Sequence, residues 1–168
     1  MKKILNLLTT ITLIGTITTS LVACNKSEYN EVKLKELKEK NNINIKDGIL
    51  EWIAPEEKPL NKLDNKYYFV VWRGNGTDDC RIVKFKNNID LNTPAGKRNI
   101  NNLSGYNLNL TNSDIKGINL NIYKSGIVEF SHWWYRSDDY FKSVYCWNND
   151  SEPNTPEIDN NGNIKNKY

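Results

Sequence analysis

From Ile49 onward, apolar residues recur with a period of two or in short runs bounded by Gly, Pro, Asn and Asp, the pattern of β-strands. In "YNLNL", Leu108 and Leu110 face one way and Asn107 and Asn109 the other. In "GINLNIY", Ile118, Leu120 and Ile122 oppose Asn119 and Asn121. This alternation predicts an antiparallel sheet with one face in a core and the other in water. "YYFVVWR", Tyr67–Arg73, is almost continuously apolar, as expected of a strand buried on both faces. The turn formers Gly74 to Asp79 separate it from "CRIVKFK", Cys80–Lys86, and predict a hairpin. A short strand, "ILEWIA", ends at Pro55. "GIVEFSHWWY", Gly126–Tyr135, and "YFKSVYCW", Tyr140–Trp147, predict a second hairpin around Arg136 to Asp139. Residues 87–102 are polar and read as a loop.

Before the strands, "EYNEVKLKELKEK", Glu28–Lys40, is helix-forming throughout, with Glu31–Lys35 and Glu36–Lys40 at the favourable i,i+4 spacing. Its apolar stripe is narrow, only Val32, Leu34 and Leu37, so it predicts a solvated spacer helix. After Trp147 the chain is rich in Asn, Pro, Asp and Gly and predicts a flexible tail, with one short pairing around Asn161 and Gly162. The expected organisation is a leader at 1–23, a tether and spacer helix at 24–47, an antiparallel β domain at 48–147 and a tail at 148–168. The fold class is mainly β, a sandwich or a partly closed barrel preceded by one helix.

The first residues change the picture of where the chain works. Lys2 and Lys3 precede an apolar, Thr-rich run from Ile4 to Ala23, the layout of a secretory signal. Asn6 and the scattered hydroxyls make it a poor permanent span. The run ends Leu21-Val22-Ala23-Cys24. This resembles the lipobox of bacterial lipoproteins, although Val22 stands where the usual pattern has a small residue. The leader is similar to those of mollicute surface lipoproteins, the spiralin type among them. The resemblance covers the first thirty residues or so. It implies that Cys24 becomes the first mature residue and carries a diacylglyceryl group, which fastens the protein to the outer face of the cell membrane. Two acyl chains suffice for stable anchoring where one does not.

Charge shifts with the leader. The whole chain has 23 basic and 20 acidic residues; Lys2 and Lys3 leave with the leader, so the mature chain has 21 against 20. A nucleic-acid binder would show a clear basic excess, and nucleic acid is set aside. With Cys24 lipidated, two cysteines remain, Cys80 and Cys146. They read either as a disulfide, which export permits, or as two buried free thiols. A bond requires Cα atoms within about 7 Å.

Candidate chemistry is sparse. His132 has Ser131, Ser137, Asp138 and Asp139 near it in sequence, but successive strand residues point to opposite faces. A secreted hydrolase pairing His132 with a carboxylate is therefore the alternative reading, and a structural coat lipoprotein a third. Asp78, Asp79, Asp138 and Asp139 lie in turns, and "DNNGN", 159–163, only begins like a calcium loop. No metal site and no cofactor motif is expected. "WRGNGTDDCRIVKF" and "WYRSDDYFKSVY" echo each other and raise a repeat of two hairpins. The densest feature is aromatic. Adjacent Trp133 and Trp134 cannot both point inward from a strand, so one indole is expected at the surface, beside Tyr135, Arg136 and Asp138. Such a surface suits a host protein or a glycan. The leading expectation is a membrane-anchored extracellular binding module without enzymatic activity.

Overall fold

The computed structural model of the chain describes residues 29–93, 96–113, 117–125, 131–134 and 139–165. A helix, α1 (Glu31–Asn41), precedes nine strands: β1 (Ile43–Ile45), β2 (Gly48–Trp52), β3 (Tyr67–Trp72), β4 (Arg81–Lys86), β5 (Lys97–Leu103), β6 (Tyr106–Ser113), β7 (Gly117–Lys124), β8 (Ser131–His132) and β9 (Phe141–Trp147). They form two antiparallel sheets, β1-β2-β9-β3-β4 and β5-β6-β7-β8. The sheets pack face to face and neither closes, so the fold is a β-sandwich and not a barrel.

The core lies between the sheets. Tyr68, Val70, Trp72, Phe85, Val144 and Cys146 of the five-stranded sheet meet Leu108, Leu110, Ile118, Leu120, Ile122 and Trp133 of the other. Each fully buried aliphatic side chain here contributes about 1.5–3 kcal/mol. β3 is buried on both faces, as its continuous apolar run predicts. Its outward Phe69 and Val71 join Leu50, Tyr145 and Trp147 in a second cluster on the far side.

Several elements differ from the sequence reading. β5 lies in the segment read as a loop. A bulge between Asn99 and Asn101 breaks its alternation, and its sequence carries few apolar residues to signal a strand. Its turn to β6 uses Ser104 (φ 30°) and Gly105 (φ 84°), a two-residue connection with positive φ at both positions. Among the described residues the hairpin expected between 126–135 and 140–147 is not formed. β8 pairs with β7, whereas β9 inserts between β2 and β3 in the other sheet. The aromatic and apolar residues of β9 alternate onto both faces of its sheet, Val144 and Cys146 inward and Tyr145 and Trp147 outward, which suits a central slot. The echo between the two Asp-Asp stretches is therefore not a structural repeat.

The ends also pack more closely than composition suggests. β1 lies within the expected tether and extends the sheet to Ile43. The spacer helix buries no residue, as its narrow apolar stripe predicts; Asn30 caps it by accepting from Lys33 N (2.8 Å), and Lys38 ties it to the domain by pairing with Glu57 at 2.6 Å. Its internal ion pair is Lys33 with Glu36. Beyond Trp147 the chain covers the second cluster instead of hanging loose. Ile158 and Ile164 form the short bridge expected around Asn161 and Gly162, and both pack on that cluster. Glu152 pairs with Lys84 at 2.6 Å and Trp147 Nε1 donates to Ser151 O at 2.9 Å.

Cys80 and Cys146 are free thiols, which corrects the disulfide reading. In the register of β3, Cys146 stands opposite Tyr68, and Arg81, the residue after Cys80, stands opposite Trp72. Four residues of strand, about 13 Å, separate those levels. The side chains also belong to different clusters, Cys146 inside the sandwich and Cys80 on its outer side.

Candidate functional site

The outward face of β5-β6-β7-β8 is polar along every strand. In register across the four strands stand Asn99, Asn109, Asn121 and His132. The neighbouring row holds Lys97, Thr111 and Asn119. This is the face that alternation predicted to be wet. Its centre is instead buried, although Lys97 and Asn99 at its edge are exposed: Asn109 keeps 1% of its surface, Asn121 4%, Asn119 7% and Thr111 8%.

Burial of so many polar groups requires partners, and they are found within the rows. Asn99 Nδ2 donates to Asn109 Oδ1 at 3.0 Å. Asn121 Nδ2 donates to Thr111 Oγ1. The imidazole Nδ1 of His132 lies 3.0 Å from Asn121 Oδ1. Asn119 Oδ1 accepts from Leu120 N at 2.8 Å. Above these rows, the Lys97 ammonium sits 4.0 Å from the centre of the Tyr123 ring. Lys97 and Tyr123 arise from rows on either side of the Asn109–Asn121 row, so their contact arches over it.

The rows open into a cavity of about 340 Å³ lined by Gly96, Lys97, Thr111, Asn112, Ser113, Asn119, Asn121, Tyr123, His132 and Trp134. Its volume is at the small end of ligand pockets, about 300–1,000 Å³. Amides, hydroxyls, one imidazole, one indole and one ammonium make up the polar and aromatic lining, with no carboxylate among these residues.

The two tryptophans divide as strand geometry requires. Trp133 is buried in the core, and Trp134 turns to the pocket, its ring 5.5 Å from that of His132. Tyr135, Arg136 and Asp138, expected beside Trp134, lie outside the described residues, as does Cys24. His132 Nδ1 meets the Asn121 amide oxygen. Among the described residues no three His, Cys, Asp or Glu side chains gather to hold a metal ion. In "DNNGN", Asp159 accepts from Asn161 N, Asn163 N and Asn163 Nδ2 at 2.8–3.0 Å, so it closes a turn. Those bonds, the Asn163 side chain first, hold its carboxyl below the usual range.

Sequence reasoning reached His132 and Trp134 and missed Lys97, Thr111, Asn119, Asn121 and Tyr123. A signal was present. Asn is depleted in strands, yet here it recurs at alternate positions of two neighbouring strands.

No protein-family model matches the chain, and no solved structure matches it. Over 101 residues the chain is 27% identical to a protein described as uncharacterized protein ORF1 of Spiroplasma virus SpV1-R8A2 B. The match takes in 60% of this chain and 9% of that relative's length. Among the described residues no helix is long and apolar enough to cross a membrane.

Proposed function

We propose that this chain is a lipid-anchored surface protein whose sandwich holds a small polar ligand in the pocket on its four-stranded sheet. One observation carries the reading: a strand face of Asn and Thr is buried and hydrogen-bonded around a cavity instead of being left to water. Ordering these side chains has an entropic cost, and a solvated face of the same fold would avoid it. Trp134 supplies a flat apolar wall, and the amides supply donors and acceptors around it. Binding is the reading that the amide-rich lining with its indole wall supports, and the His132 ring meets the Asn121 amide. The anchor rests on the lipobox ending at Cys24.

The test uses the full chain in detergent micelles, applied to a glycan array and followed by Trp134 fluorescence. Specific capture of a small polar ligand, lost in Trp134→Ala, is the expected result. Absence of any ligand would favour a structural coat protein. Cys24→Ser should move the protein from the detergent phase to the aqueous phase and abolish labelling with radioactive fatty acid; persistent labelling would exclude the anchor.

A further inference from the structure

We propose that the ligand of this pocket is an acidic saccharide, a pyranose bearing a carboxylate, sulfate or phosphate, and that Lys97 selects for the acid. The inference rests on the binding reading above and adds the ligand's chemical class.

Charge comes first. Among the described lining residues Lys97 is the one ammonium, and no Asp or Glu stands with it. Elsewhere Lys33, Lys38 and Lys84 each meet a carboxylate within 4 Å. Lys97 has instead the face of Tyr123, a weaker partner for a cation than an anion is. An acid entering beside Tyr123 gains a charge-assisted hydrogen bond and breaks no existing ion pair. A cationic ligand would meet like charge at Lys97.

Shape and hydrogen bonding supply the rest. Each Asn amide presents a donor and an acceptor in one plane, the complement of adjacent ring hydroxyls, each of which donates and accepts. Asn119 and Asn121 line the cavity, and beyond the bonds to Leu120 N, Thr111 and His132 each of their NH2 groups keeps a further proton for a ring hydroxyl. Trp134 forms a wall at the β8 side, where the C–H face of a sugar ring stacks on an indole. Lys97, on β5, is three strands away, about 14 Å at the backbone. Its side chain leans inward as far as the Tyr123 ring. The stacking wall and the charge are thus separated enough to engage the ring and its acidic substituent at once.

The experiment is calorimetric titration of the full chain in micelles with glucose, glucuronate, glucose 6-sulfate and inorganic sulfate. Glucuronate and glucose 6-sulfate should bind about tenfold more tightly than glucose, the value of one charge-assisted contact. Added salt should narrow the gap. Lys97→Gln should bring the acidic-to-neutral ratio close to one, and Lys97→Arg should restore it; Lys97 is exposed, so both variants should fold. Equal binding of glucose and the acids would overturn acid selection and leave the binding pocket standing. Inorganic sulfate binding as tightly as glucose 6-sulfate would overturn the saccharide. No binding by any of the four would overturn the proposal, and the array decides separately whether the pocket binds anything.

Discussion

Replacing Asn121 with alanine should destabilise the fold by about 2–3 kcal/mol, although the residue sits on a face that its sequence marks as solvated. Asn121 is 4% exposed, donates to Thr111 Oγ1 and accepts from the His132 ring at 3.0 Å. Each net hydrogen bond contributes about 0.5–1.5 kcal/mol, and a buried group deprived of its partner costs about 1–3 kcal/mol. The Thr111 hydroxyl, 8% exposed, keeps little access to water and carries most of that cost. For a chain of this length the loss corresponds to about 4–12 °C in Tm, measured by circular dichroism or calorimetry. A double-mutant cycle isolates the pair. Thr111→Val with Asn121→Leu removes both partners with apolar groups of similar size, so the double variant should be less destabilised than the sum of the singles by about 1 kcal/mol. The reasoning fails if Asn121→Ala shifts stability by less than about 0.5 kcal/mol, the range of an ordinary surface change, or if the two sites are additive.

Trp133→Ala should cost about 3–5 kcal/mol as a large buried deletion, whereas Trp134→Ala should change stability far less, as two urea titrations would show. Ending the chain after Trp147 should destabilise the fold by several kcal/mol, because Ile158 and Ile164 would no longer pack on the second cluster; a truncated chain melting within about 2 °C of the full one would contradict this. Thiol titration should find Cys80 and Cys146 unbonded without reductant, with Cys146 labelled only on unfolding. Burial pushes the Cys146 thiol up from 9.0 to about 11. The folded state therefore favours the protonated form, and its contribution is complete below pH 9 and lost as pH rises from about 9 to about 11. The loss should approach about 2–3 kcal/mol, and Cys146→Ala should flatten that part of the pH profile.

Part of this architecture was legible because its signals are local. Alternating Leu and Ile in β6 and β7, the unbroken apolar run of β3 and the turn formers after it specify strands, faces and a hairpin without reference to distant residues. Adjacent Trp133 and Trp134 had to point to opposite faces, so one had to leave the core. The resemblance of residues 21–24 to a lipobox is likewise a reading of contiguous residues, and the proposal for Cys24 rests on sequence alone.

Other features arise only when distant segments meet. Nothing near Tyr140 tells β9 to enter the first sheet, because insertion between β2 and β3 is decided by which sheet can cover both its faces. The pairing of Cys80 with Cys146 failed for the same kind of reason: parity suggests a bond, but register and sheet face keep the sulfurs apart. The pocket is the clearest case. Period two assigns Asn109, Asn119 and Asn121 to the face away from the core, and that assignment is right. Whether such a face meets water depends on what stands beside and above it. Here Lys97, Tyr123, His132 and Trp134 come from three strands and the turn after β8. A side chain's direction follows from its own strand, whereas its burial and its hydrogen-bond partners follow from the register of its neighbours.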